Sequence, residues 1–273
     1  MINNTISKEW LQSLSTPKGQ LKEIQKNARE AILLEGLPNQ KDENWRLTNF
    51  KHLEKVLSLP ITEKDNLISN ANLNSLPITA NETLTINLDS YHHKFNSNSL
   101  PKGVELLNNT EIDQLLGKTI SLGRESNSWP ISINHATTNH ILGLYLHGSN
   151  LPPIELVIES KRTCLSPTRM ILIIEENTTA EILQVITGNY QSVQSHILEI
   201  NLKENSKLKH GCLTLGEKEE AKLFARIAVK QDPDSEYCLT SLQQGWSFSR
   251  FEPQVVQPKG RAKTTIKGLQ IAT

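Results

Sequence analysis

Aromatic side chains are scarce in this 273-residue sequence, at 5% of the total, which argues against a groove built on Tyr and Trp. A charge imbalance is also lacking. With 29 Lys and Arg against 29 Asp and Glu, no global field pulls the chain toward nucleic acid or anionic lipid. No apolar run approaches the roughly 18–20 residues of a membrane helix, and the longest candidate, Met170 to Ile174, is strand-sized. Met1 to Ser15 has no basic stretch followed by an apolar one and carries Glu9, so no secretion or transit signal is expected. The three cysteines, Cys164, Cys212 and Cys238, are too few and too dispersed for a disulfide framework, and no Cys-x-x-Cys pair exists. A reducing, cytoplasmic compartment is the expectation. Catalytic motifs are missing too: there is no nucleophile elbow, no Gly-rich phosphate loop and no His-Glu-x-x-His helix. Any nucleotide hydrolysis would have to come from another chain.

What is present divides into three parts. Residues 1–60 read as helices. Thr16 is placed to cap a helix with Pro17 at its first position, followed by Leu21, Ile24, Ala28 and Ala31 at helical spacing until Gly36 and Pro38 stop it. Ser7 opens a shorter candidate with Trp10, Leu11 and Leu14, while Phe50, Leu53 and Val56 outline a third that ends before Pro60. Residues 61–153 form a mixed α/β connecting region. It holds strands at Leu84–Leu88, Val104–Leu107 and Ile141–Leu146, and a short helix capped by Thr110 that runs through Leu116.

Residues 154–273 repeat themselves. Ile171 to Ile174, the polar turn Glu175-Glu176-Asn177-Thr178 and Ala180 to Val185 make a strand, a turn and a strand. The unit returns as Ile197–Leu202, Lys203–Ser206 and Lys207–Leu213, then as Phe224–Val229, Lys230–Asp234 and Ser235–Leu242. A fourth copy runs from Glu252 to Leu269 around Gln257-Pro258-Lys259-Gly260. Gly188, Gly216 and Gly245 stand 28 and 29 residues apart, each after a second strand. A unit of this length cannot bury its apolar face alone and must stack on its neighbours, so a β-solenoid is favoured over a β-sandwich. The strand Thr264–Leu269 has no capping helix after it and predicts an end covered by a partner or by further sequence.

The candidate chemistry is thin. His210 and Cys212 lie at i and i+2, and Cys238 falls at nearly the same place one coil later, so stacking would bring two thiols together. An ordinary buried position for small side chains is the stronger expectation. His92-His93 reads as a solvated loop, His135, His140 and His147 share a segment without a ligand spacing, and Glu175-Glu176 reads as a solvated turn. No catalytic, cofactor-binding or metal-ligating residue is therefore nominated. The segment Gln243-Gln244-Gly245-Trp246-Ser247-Phe248-Ser249-Arg250 is the odd one, either packing over the solenoid edge or forming a protein contact.

Arg29-Glu30-Ala31 through Gly36-Leu37-Pro38, then Lys41, Glu43 and Trp45-Arg46-Leu47-Thr48, resembles the opening signature of SufD proteins, with Leu47 where the family usually has Tyr. Pro167–Val185, Asn205–His210 and Phe248–Gly268 are similar to the SufD β-helix core. The resemblance implies a non-enzymatic scaffold subunit of SUF iron–sulfur cluster assembly that pairs with a SufB-like paralogue and the SufC ATPase. It implies no stably bound cofactor, only a transient iron–sulfur cluster on the assembled complex, and no nucleic-acid or membrane partner. SufD chains continue with more β-helix and a helical domain that docks SufC, so the resemblance also implies a C-terminally truncated copy. The expected architecture is mainly β: a right-handed parallel β-helix (β-solenoid) core, an N-terminal α-helical domain and a small α/β connecting region. A carbohydrate-active or carbohydrate-binding β-helix is the alternative. It would be expected to line carboxylates or aromatics along one strand row, and no such row is evident.

Overall fold

The structure is a computed structural model that describes residues 2–17, 21–61, 84–87, 100–160, 162–189, 191–217 and 220–271. Helices α1 (Ile2–Ser13), α2 (Lys22–Glu35) and α3 (Lys51–Val56), with a 3-10 turn at Glu43–Trp45, precede β1 (Leu84–Asn87) and β2 (Val104–Leu106). Helices α4 (Asn109–Leu115), α5 (Lys118–Ser121) and α6 (Trp129–Thr137) follow. Ten strands complete the chain: β3 (Leu142–Leu146), β4 (Ile154–Ser160), β5 (Leu165–Ile174), β6 (Thr179–Gly188), β7 (Val193–Leu202), β8 (Lys207–Gly216), β9 (Lys222–Gln231), β10 (Glu236–Gln244), β11 (Phe248–Val256) and β12 (Lys263–Ile271).

Successive strands alternate between two sheets, ordered β1-β4-β6-β8-β10-β12 and β11-β9-β7-β5-β3-β2. Every neighbour pair is parallel except β2 with β3. This is the expected solenoid, each coil giving one strand to each sheet, with Leu165 over Val193, Val193 over Lys222, Thr179 over Lys207 and Lys207 over Glu236. The strand expected at Ile141–Leu146 is β3, which pairs in register with β5 and so forms a rung of the same sheet.

The inward residues make one column. Met170, Leu172 and Ile174 of β5 meet Leu198, Ile200 and Leu202 of β7, Ile227 and Val229 of β9, and Ile182, Leu208 and Leu239 from the opposite sheet. The turn between the strands of a coil explains why its polar residues recur. Asn177, Asn205 and Asp234 each adopt a left-handed conformation (φ 60°, 55° and 60°), which Asn and Asp tolerate better than other side chains. The next residue, Thr178, Ser206 or Ser235, is buried, and the Ser206 and Ser235 hydroxyls donate to the carbonyls of Lys203 and Asp232, each at 2.7 Å. Asn205 also donates its amide to Asn177 Oδ1 at 2.7 Å, tying one coil to the next.

The helices cover the outer face of the β5–β7–β9 sheet. Trp10, Ile32, Trp45, Leu53, Val56, Trp129 and Ile133 pack on Leu165, Val193 and Phe224, while Ile120 and Ile131 pack on Ile197 and Ala228. Several local expectations are corrected. The second helix begins at Lys22 after an uncapped Leu21, leaving Thr16 and Pro17 outside it. Ser7 lies inside α1 and is buried rather than opening it. The α4 cap is Asn108, whose side chain accepts from Glu111 N while the Glu111 carboxylate accepts from Asn108 N; Thr110 already lies within the helix. Helix α6 has no amphipathic signal because Ile131, Ser132, Ile133, Asn134, Ala136 and Thr137 are all buried, polar and apolar alike, so burial runs all round it.

Candidate functional site

Inside the solenoid, the apolar column gives way to a line of polar side chains. Gln184 of β6, His196 of β7, His210 of β8 and Tyr237 of β10 are all at most 2% exposed. Their distances define a directed chain of hydrogen bonds. Gln184 Oε1 can only accept, so His210 Nε2–H donates to it (2.8 Å), and Nδ1 of the neutral ring accepts from the Tyr237 hydroxyl (2.9 Å). The Gln184 amide then donates to His196 Nε2 (2.8 Å), leaving the proton of His196 on Nδ1, which finds no acceptor. Burial pushes both imidazoles down to about 3, so both rings are neutral at physiological pH. Cys212 lies in the same interior, and burial pushes its thiol up to about 12, far from the thiolate that a nucleophile or metal ligand requires.

The two thiols do not meet. Register places Cys212 beside Ser241 and Leu239 beside His210, whereas Cys238 sits over Lys209 and under Thr265. Cys238 thus stands three residues before the position opposite Cys212, and that odd offset turns it to the other face of the sheet, because side chains alternate with period 2. Among the described residues, no three His, Cys, Asp or Glu side chains are grouped to hold a metal ion. His135 is almost buried in α6 and its Nε2 has no partner; burial and the nearby Arg169 hold it well below the usual histidine range. His140 is exposed, and His147 contacts Glu105 at 2.8 Å, so the three histidines are not brought together. His92 and His93 lie outside the described residues. Glu175 accepts from the Tyr145 hydroxyl, which with the Glu176 N–H holds its carboxyl below the ordinary value, and Glu176 is exposed.

The polar groups that sequence reasoning missed sit where helices meet the solenoid. Arg169 of β5 and Glu199 of β7 form a fully buried ion pair at 2.6 Å. Glu199 also accepts the backbone N–H groups of Gly117 (2.8 Å), Thr119 (2.9 Å) and Ile120 (3.2 Å), so one carboxylate ties the α5 turn to the sheet. The only sequence signal was a charge set inside each apolar strand. The Gly245–Arg250 segment does pack over the solenoid edge. Trp246 lies against Gly188 and donates to Thr214 Oγ1 at 3.1 Å, while Phe248 stacks on His52 and packs tilted against Phe224. Arg250 lies 4.1 Å over the Trp45 ring.

This geometry defines a parallel β-solenoid with one helix-covered face and a neutral, hydrogen-bonded interior. Residues 157–273, from within β4 to the last strand, match the family described as SUF system FeS cluster assembly, SufBD core domain. The match supports the SufB/SufD family and a role in SUF iron–sulfur cluster assembly, and it gives no support to the carbohydrate alternative. No curated protein matches the chain. Among the described residues no helix is long and apolar enough to cross a membrane.

Proposed function

We propose that this chain is a SufD-type scaffold subunit of the cytoplasmic SUF machinery, non-enzymatic, pairing with a SufB-like paralogue and the SufC ATPase. The observation that carries the reading is the SufBD core match across the solenoid from residue 157 onward. The Gly36-Leu37-Pro38 turn with Trp45-Arg46-Leu47-Thr48 favours SufD over SufB, since it resembles the SufD opening. Trp45 is 3% exposed and sits in the core that joins helices to solenoid, which gives that motif a structural reason. The iron–sulfur cluster is cargo on the assembled complex rather than a resident cofactor of this chain. The interior thiol Cys212, held protonated by burial, is consistent with that division. On the exposed sheet, Glu181 pairs with Lys209 at 2.7 Å and Lys207 with Glu236 at 2.9 Å, an ordinary solvated face rather than a row of sugar-binding carboxylates.

Co-expression of the 273-residue chain with SufB- and SufC-type proteins tests the proposal. A complex that survives size exclusion in defined stoichiometry is the expected result. Elution of this chain alone from both partners would overturn it.

A further inference from the structure

Lys222, the first residue of β9, is the one lysine buried among the described residues, at 5% exposed. A charge taken out of water is normally paired, and lysines are almost never fully buried unless they are. This ammonium hydrogen-bonds only to the Glu220 carbonyl, at a long 3.4 Å. Its stem is covered while the charged end is only partly desolvated, so the end stands at the mouth of a seam between the solenoid and α3.

Register and stacking bring two more basic groups to that mouth. Lys222 stands beside Phe248 of β11 in the sheet, and the His52 ring of α3 stacks on Phe248 with centroids 5.5 Å apart. Lys55 follows His52 by three residues, on the same side of the helix. His52 is half-exposed and Lys55 exposed, so the seam is open to solvent from this side. Burial, then Lys222 and Lys55, lower the His52 pKa; burial, then Lys55, lower that of Lys222, and Glu220 opposes only the second effect. Two ammonium groups and an imidazole that repel one another are short of negative charge. Donors on two separate elements suit a tetrahedral oxyanion, whose oxygens point several ways, better than a planar carboxylate. A nucleic-acid strand is not favoured, because the chain as a whole carries 29 basic against 29 acidic residues.

We propose that the seam between α3 and β9 binds a phosphate-type dianion, held by the Lys222 and Lys55 ammonium groups and by the His52 ring. The site does not depend on which SUF subunit the chain is. Proton NMR of the full chain tests it by following the His52 ring, assigned through its loss in His52→Gln. The first arm is a pH titration in chloride and in sulfate, a dianion across the whole range, at matched ionic strength. A bound dianion favours the imidazolium, so the His52 pKa is expected to rise by about 0.5 in sulfate while the other histidines stay put. Lys222→Gln should raise the His52 pKa in chloride, because a neighbouring cation is gone, and abolish the response to sulfate. If that variant does not fold, the exposed Lys55→Gln decides, with sulfate binding about threefold weaker. In the second arm, inorganic phosphate and O-phosphoserine are titrated at pH 7.5, and the tighter of the two tells a free ion from a phosphate carried on a side chain. An equal rise at every histidine, no difference between sulfate and chloride, no saturable shift with either phosphate compound, or a full response in the lysine variants would each overturn the proposal.

Discussion

The two sheets of the solenoid are built from the same repeat and read differently. β7 is buried along nearly its whole length, because helices cover its outer side while the column fills its inner side. Its neighbour in the coil, β8, alternates: Lys207 and Lys209 are exposed, while Leu208, His210 and Cys212 are buried. A strand with both faces covered must bury whatever polar residues it carries, and a strand with one face in water need not. The covered sheet therefore holds the buried Arg169–Glu199 pair, and the open sheet holds its ion pairs at the surface, as with Glu181 and Lys209. One kind of charge is a fastening and the other is solvated decoration.

The largest test of that contrast is Glu199→Ala against Glu181→Ala. Removing Glu199 leaves Arg169 buried and uncompensated and frees three backbone N–H groups, so a loss of about 3–5 kcal/mol is expected in urea unfolding. Glu181→Ala should leave the urea midpoint unmoved, since its partner is an exposed lysine. Equal effects would erase the distinction between the sheets.

Acid sharpens it next. His196 and His210 stay neutral in the fold down to about pH 3 but take up protons near pH 6.5 when unfolded. The unfolded state then binds more protons, so stability should fall as pH drops below 6.5, by about 1.4 kcal/mol per pH unit for each histidine. Thermal melts between pH 7 and 5.5 would read this slope, to which the buried His135 adds, and His210→Gln should make it shallower by one histidine's share; a flat profile would show that the interior column is wet.

Gly216→Ala is expected to cost less, about 1–3 kcal/mol. Its Cβ would stand 2.4 Å from the backbone carbonyl oxygen of Gly245, an atom that cannot rotate away. Gly211→Ala, in the same strand, meets a Leu183 methyl at 2.8 Å that can turn aside, and its melting temperature should stay closer to the parent's. Reversal of that order would mean that the glycine corner of the coils is looser than its register indicates.

Much of the architecture was legible because a coil repeats. Asn177, Asn205 and Asp234 mark a left-handed turn residue, and Gly188 and Gly216 stand opposite each other in register, so their spacing carried the period of the stack. Helix α6 was not legible, because buried Ser132, Asn134 and Thr137 removed its amphipathic contrast. Nor was the phase of Cys238: a nearly equal spacing reads as a stack, yet an odd offset, with Cys238 opposite Lys209 rather than Cys212, turns the thiol to the opposite face. The basic seam joins His52 and Lys55 of α3 to Lys222 of β9, far apart in the chain, and no local pattern relates them.

By itself the sequence determined the strands, their period and the turns between coils, since each follows from residues close together in the chain. Tertiary structure alone decided which sheet the helices cover and which charges are buried. It also decided which side chains become neighbours in the interior column, in the Arg169–Glu199 fastening and in the seam of α3 and β9. Those outcomes depend on contacts between residues far apart in sequence, where burial and register act and local preference has no say.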